Sequence, residues 1–533
     1  MSSPPPTQAA APFTEARACR EWLGTLPLTN VVQVQGQLLD VLAGLGTAVA
    51  DPLEQLKCLE LLRDKVAFLL DEQRGRYFGK TLPLSQGDER AWNAGRQLLE
   101  GMEAGYRRAL EATSSPGELQ RHRPLIAQRI ARYLGAEMVY HMSVYRRFEP
   151  ALWTRLHALY AAGEAAGYAE ERVKDSLEAD EAGTSLAETY AQVVLVQAAY
   201  LSELTAAQIE FAVALLRMWA RKVVIRRSLP DGTLPPSLHA LVVDFQKPIG
   251  ARPMPPRDVA AHHRILDIDA LSASLRRRIH GLQKGEDIAS LKLPMQAGAI
   301  DALGQMERLH RLWCEGAPPR PPARVPDEKS ATLAFAPGEI WFFLTAGKPF
   351  EQPGQQRELS SQERKEIEVF GQVTSRTASL KVSDYIATSE TWGIIDEMLG
   401  AWRLQRPASA SKGLAIGRLV AMRVAESGPF FLGMVSALVQ ETDGRIVITV
   451  TLFPGKPEPV PVRADSRGRA AGKWQEGFRL PGMPRLKVPA SLVVPAGMVA
   501  RGRAVELFEE GGKTLEVSQV LERGTDFDRV AIG

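Results

Sequence analysis

The chain has 533 residues, of which 45% are hydrophobic and 24% charged. That composition is ordinary for globular proteins and excludes wholesale disorder, and the length calls for two or three domains. A formal net charge of +3 is too mild for a dedicated nucleic-acid binder, so no DNA or RNA partner is expected.

Residues 1–12 are rich in Ser, Pro and Ala and have neither a basic segment nor an apolar core. They are expected to form a disordered tail, not a signal peptide. From residue 13 to 315 the apolar residues recur at helical spacing. Val34, Leu38, Val41, Leu42 and Leu45 make one stripe. Asp51-Pro52-Leu53-Glu54 starts a second helix, with an oxygen-bearing cap, proline at the first helical position and glutamate three residues after the cap. Leu59, Leu62, Val66 and Leu69 follow on one face. Further helices are expected over about 88–112, 124–144, 150–167, 185–227, 257–282 and 294–314, with strand alternation nearly absent. The apolar stretch at 190–225 is broken by Gln192, Gln197, Glu203, Gln208 and Glu210, which is too polar for a membrane span. The protein is expected to be cytoplasmic. EGAPPRPPARVP over 315–326 marks a boundary, since its prolines cannot continue a helix; a Pro-rich linker is placed at 316–330.

From 331 to 533 the pattern changes to short strands. An apolar run at 339–344 is read as the first, and a helix is expected behind Ser360-Ser361. Strands follow near 391–396, 419–425, 430–440, 445–452, 491–494, 503–508 and 514–521, with turns at Thr442-Asp443-Gly444 and Glu510-Gly511-Gly512. This spacing suggests a small barrel or sandwich. The fold class is therefore α+β and multidomain, an all-α module followed by a mostly-β barrel module.

No complete catalytic constellation is visible, so no enzyme and no cofactor is expected. All eight histidines and the three cysteines Cys19, Cys58 and Cys314 lie before residue 315. The β-rich half can therefore hold no His-based triad, His/Cys zinc site or cysteine nucleophile. Gly75-Arg-Tyr-Phe-Gly79-Lys80-Thr81 is one residue short of a P-loop, follows a helix and runs into Pro83. His262-His263, His141, His157 and His280 show no metal-like spacing to carboxylates, so no metal is expected. The remaining candidate is the arginine-rich start of the barrel: Arg376, Lys381, Asp396, Gly400, Arg403, Arg406, Arg418 and Arg423. Guanidiniums bind phosphate oxygens bidentately and stack on purines, so these residues could hold a nucleotide. They could equally be outward-facing strand residues.

The order of features resembles a group of proteobacterial proteins, largely uncharacterised, that pair a long helical N-terminal region with a C-terminal PilZ-like β-barrel. The resemblance is carried by CREWLGTLPLTN (19–30), LELLR (59–63) and YFGKTLPL (77–84). Towards the C-terminus it is carried by 392–404, IGRLV (416–420), FLGMV (431–435) and VPASLVVP (488–495). It implies a barrel of the kind that binds cyclic di-GMP through RxxxR before the barrel and [DN]xSxxG on an early strand. Here Arg376 is followed by Leu380-Lys381, Asp396 to Gly400 is one residue short with Met398 in place of serine, and the RxxxR at Arg463 to Arg467 lies late in the barrel. The resemblance thus implies a non-enzymatic regulatory or adaptor protein whose degenerate barrel binds an unidentified protein partner or, weakly, cyclic di-GMP. The alternatives are a cyclic di-GMP receptor with a working non-standard site and a ligand-free helical scaffold.

Overall fold

The computed structural model describes residues 11–532, apart from 115–116, 179–182, 229–239, 256–257, 317–322, 355–387, 408–412, 425–426, 465–471, 500–503 and 510–512. The chain forms two compact units, Met1–Pro319 and Arg320–Gly533.

The first unit opens with eight helices: α1 (Ala16–Thr25), α2 (Val31–Ala48), α3 (Pro52–Arg74), α4 (Gln86–Ala112), α5 (Arg123–Met142), α6 (Ala151–Ala165), α7 (Leu186–Ala198) and α8 (Ala206–Trp219). Their starts follow from local chemistry. The side chains of Asn30, Asp51, Ser85 and Ser185 each accept a backbone N–H of the following turn, satisfying donors that the helix leaves free. Helix α3 buries Leu56, Leu59, Leu62, Val66 and Leu69. No helix among the described residues is long and apolar enough to cross a membrane.

The stretch 185–227 is not one helix. It breaks at Tyr200, whose φ is 52°, and restarts at Thr205, whose backbone N–H donates to the Gln208 side chain at 2.9 Å. That reciprocal cap outweighs the continuous apolar pattern. Nor is the first unit all helix. It holds a four-stranded antiparallel sheet in the order β1-β4-β2-β3, made of β1 (Val224–Arg226), β2 (Ala240–Asp244), β3 (Arg252–Met254) and β4 (His263–Asp267). Helices α9 (Asp269–Gln283) and α10 (Ala302–Cys314) follow. The helix expected over 257–282 is therefore strand β4 followed by α9. The adjacent apolar pair Ile265-Leu266 fits either period, and pairing with β2 and β1 decides it.

Two groups of buried charge lie between these helices. Asp175 is enclosed by Arg63 (2.5 Å), Arg129 (3.2 Å) and Arg132 (3.1 Å), with Glu60 also on Arg129 at 2.9 Å. Glu137 of α5 is 4% exposed, and its Oε2 has no hydrogen-bond partner among the described residues. Burial, reinforced by the neighbouring Glu100 carboxylate, pushes its carboxyl up to about 7. A folded-state value above the unfolded one means that this stability is fully present below the ordinary carboxylate range and is lost as pH rises through 7. Glu137→Gln is expected to match the parent near pH 5 and to exceed it at pH 8 by on the order of 3 kcal/mol. Thermal unfolding of both proteins across that range checks this; parallel curves would show that Glu137 does not titrate there.

The second unit contains two closed antiparallel barrels where the sequence suggested one. The first has the order β10-β7-β6-β5-β8-β9 and is built from β5 (Ser330–Ala334), β6 (Glu390–Met398), β7 (Ala401–Arg406), β8 (Leu419–Arg423), β9 (Phe431–Gln440) and β10 (Ile446–Leu452). The second has the order β11-β12-β13-β16-β15-β14. Its strands are β11 (Glu458–Ala464), β12 (Gln475–Leu480), β13 (Ser491–Pro495), β14 (Ala504–Leu507), β15 (Lys513–Arg523) and β16 (Phe527–Ile532). The linker expected over 316–330 is shorter than that range, because Arg324 already exchanges two backbone hydrogen bonds with Glu397. The apolar run at 339–344 is helix, α11 (Pro337–Leu344), not strand. Pro337 fits its first position, and the Ala336 N–H donates to the Glu339 carboxylate at 3.2 Å.

One apolar cluster is shared by the two barrels, and the second barrel has a further core of its own around Val462, Leu492, Val505 and Val530. Leu419, Ala421, Phe430, Leu432 and Phe453 from the first pack with Phe478, Leu480, Val493 and Phe527 from the second, joined by Ile340 of α11. The Thr525 N–H donates to the Gly417 carbonyl at 2.8 Å, and the Leu419 N–H donates to Asp526 Oδ1 at 2.8 Å. Gly417 has φ +79°, a conformation that favours glycine.

Candidate functional site

Arg376, Lys381 and Arg467, and the helix expected behind Ser360, lie outside the described residues. The other six barrel-start residues are spread over different faces. Asp396 and Arg403 pair across β6 and β7 and form an ion pair. The Asp396 carboxylate is buried and the Arg403 side chain is 46% exposed. Gly400 has φ +72° in the tight turn between these strands. Arg406 lies three residues further along β7 and points the other way. It is buried, paired with Glu390 and stacked 4.4 Å from the centre of the Trp392 ring. Burial lowers its pKa, partly offset by Glu390. Arg418 stacks 5.3 Å over Phe335 and donates to the Gly413 carbonyl, with Asp526 at 4.0 Å. Phe335 and Trp392 are neighbours at 6.4 Å, and Arg418 contributes electrostatically to the lowered pKa of Arg406. Arg423 stacks 4.7 Å over Phe430. The structure thus brings Arg406 and Arg418 together and directs Arg403 to the opposite face of its strand. The alternation of β7 accounts for this split.

Among the histidines, His157 is a core residue. Its Nδ1 lies 2.7 Å from the Tyr190 hydroxyl and its Nε2 2.9 Å from the Ile249 carbonyl. His262 and His263 are different, because the sheet gives them the carboxylate that their sequence context lacks. Strand pairing sets Asp244 opposite His263. His262 Nε2 is then 3.6 Å from Asp244 Oδ1, and His263 Nε2 is 3.6 Å from Asp244 Oδ2. Lys247 Nζ at 3.5 Å and Arg252 Nη2 at 4.0 Å face the same carboxylate, and the Gln246 N–H donates to it at 3.0 Å. Burial pushes the Asp244 carboxyl up, but the Gln246 N–H, both imidazoles and Lys247 outweigh this and hold it below the usual carboxylate range. These residues line an open pocket of about 520 Å³ together with Pro253, Met254, Pro255 and Asp258. The sequence shows no carboxylate at metal-like spacing from His262-His263, but the fold supplies one. The partner is 18 residues upstream and is brought in by β2–β4 pairing, which no local spacing encodes.

No curated protein matches the chain. One solved structure with detectable similarity is described as "MrkH, A novel c-di-GMP dependence transcription regulatory factor". The two chains share 10% identity over 40% of this chain and 89% of that one, with a TM-score of 0.12; a superposition that loose supports no inference of fold or function. Family models are more telling. Residues 17–231 match "Cyclic-di-GMP receptor FimW, N-terminal domain", a stretch that runs from α1 to just beyond β1. Residues 460–532 match "FimW C-terminal beta-barrel domain", which coincides with the second barrel. Towards its two ends, and in the same order, the chain is therefore similar to an N-terminal and a C-terminal domain of the cyclic di-GMP receptor FimW.

Proposed function

We propose that the chain is a cyclic di-GMP-binding regulatory protein that acts by binding and not by catalysis. The observation that carries this reading is the pair of family matches, one at each end of the chain and each coinciding with a structural module. They favour the receptor alternative over a degenerate barrel that binds a protein partner or, only weakly, cyclic di-GMP. For the phosphate contacts we propose Arg376 and Lys381 with Arg403, whose side chain is 46% exposed; Arg418, grouped with Arg406 and stacked on Phe335, has a supporting role. Arg406 and Asp396 are supporting residues in this reading, since both are buried in ion pairs. Gly400 shapes the turn, and Arg423 is held on Phe430.

Calorimetry of the full chain with cyclic di-GMP tests the proposal. Saturable binding is expected. Arg403→Ala should weaken it by about 10- to 150-fold, the equivalent of one charge-assisted hydrogen bond. No binding at about 100 μM nucleotide, a range in which even a weak receptor responds, would remove the receptor reading and return the barrels to a protein partner.

A further inference from the structure

The pocket above β2 and β3 lies at residues 244–263, between the two stretches that the family models match. Its chemistry is that of a donor surface. Lys247 and Arg252 carry N–H groups and no acceptor. His263 accepts the Ala260 N–H on Nδ1 at 2.8 Å, so the neutral ring carries its own proton on Nε2, the atom that faces Asp244 and the pocket. The Arg252 Nε is buried and has no hydrogen-bond partner among the described residues. The donor atoms of Asp244, His262 and His263 lie within 4.8 Å of one another, a spacing that first suggests a divalent cation. Two features argue against that. A metal needs the Nε2 lone pair of His263, which the Ala260 bond assigns to a proton. It would also sit beside two fixed cations, Lys247 and Arg252, each within 4.0 Å of the shared carboxylate.

We propose that this pocket binds the phosphate group of a nucleotide-sized phosphate ester. The phosphate oxygens supply further acceptors to Lys247, Arg252 and the His263 N–H, which otherwise share the single Asp244 carboxylate. The volume of about 520 Å³ falls in the range of small-molecule sites and far exceeds what inorganic phosphate fills. Pro253, Met254 and Pro255 offer an apolar wall to the organic part. Asp244 lies beneath, 3% exposed, and orients the donors; with Asp258 it also keeps the affinity modest. This proposal does not rest on the cyclic di-GMP reading.

Titration of the full chain with GMP, inorganic phosphate and zinc, followed by calorimetry, decides it. GMP is expected to bind about 10-fold or more tightly than inorganic phosphate. Lys247→Ala and Arg252→Ala should each weaken it by about 10-fold or more. Both side chains are about half exposed, so folding should survive. Asp244→Asn, which keeps an acceptor for the Gln246 N–H and removes the competing charge, should hold or strengthen GMP binding. The proposal is overturned if GMP does not bind, if it binds equally to Arg252→Ala, or if zinc binds stoichiometrically and is lost in Asp244→Asn. Equal affinity for GMP and inorganic phosphate would overturn the assignment of an organic ester.

Discussion

Asp175→Ala is expected to destabilise the first unit by about 3–5 kcal/mol, because it strips the shared anion from two buried guanidiniums and a third that is mostly covered. The side chains of Asp175, Arg63 and Arg129 are at most 1% exposed, and Arg132 is 14% exposed. Taking such charges out of water costs several kcal/mol each, and only mutual pairing offsets that cost. Glu60 and Glu178 would remain on Arg129 and Arg132, but the Asp175 contacts tie the loop after α6 to α3 and α5 together. Acid should produce the same loss. Burial pushes the Asp175 carboxyl up, yet Arg132, Arg129 and Arg63 outweigh it and hold it below its usual value. Its contribution is therefore present above the unfolded-state value and disappears as pH falls through the folded one. Urea denaturation of the variant at neutral pH measures the effect; a loss under about 1 kcal/mol, typical of surface pairs, would show that the network is solvated.

A second large effect is expected at Phe478, which is 1% exposed in the core that the barrels share. Truncation to alanine removes an aromatic ring and leaves a cavity, a change that costs about 3–5 kcal/mol in well-packed sites. The ring faces Trp341 of α11 at 6.4 Å and packs with Leu432 and Phe453 of the first barrel. Unfolding of both barrels should therefore shift together, as a single transition at lower temperature. If only one of two separate transitions moved, the common core would not couple them.

Much of the fold is legible in the sequence where one residue pattern has one cause. Asp51-Pro52 and Ser85 announce helices because capping is local, and Asp443-Gly444 announces a hairpin because φ is +84° at Gly444. The reading fails where distant pairing decides. Ile265-Leu266 becomes strand only because β1 and β2 flank it. Pro459 and Pro461 argue against a strand, yet β11 forms between β12 and β14 and closes the second barrel. The site follows the same rule. Arginine spacing names residues of the right chemistry, but the two-residue alternation of β7 sends Arg403 and Arg406 to opposite faces. Asp244 and His263 meet only through sheet register.

The shared core also separates two meanings of the word domain. The stretch similar to a C-terminal barrel domain is 460–532, but the partners that cover its Phe478, Leu480, Val493 and Phe527 come from residues 334–453. Excised at its similarity boundary, that barrel would present a contiguous aromatic and aliphatic face to water, the kind of surface that drives aggregation. The matched segment and the folding segment are thus different lengths of chain. A soluble fragment has to begin by Ser330, where β5 starts, well upstream of anything the family model covers. Any shuffling of the C-terminal barrel between proteins would have to carry the first barrel and α11 with it, or replace their apolar cover.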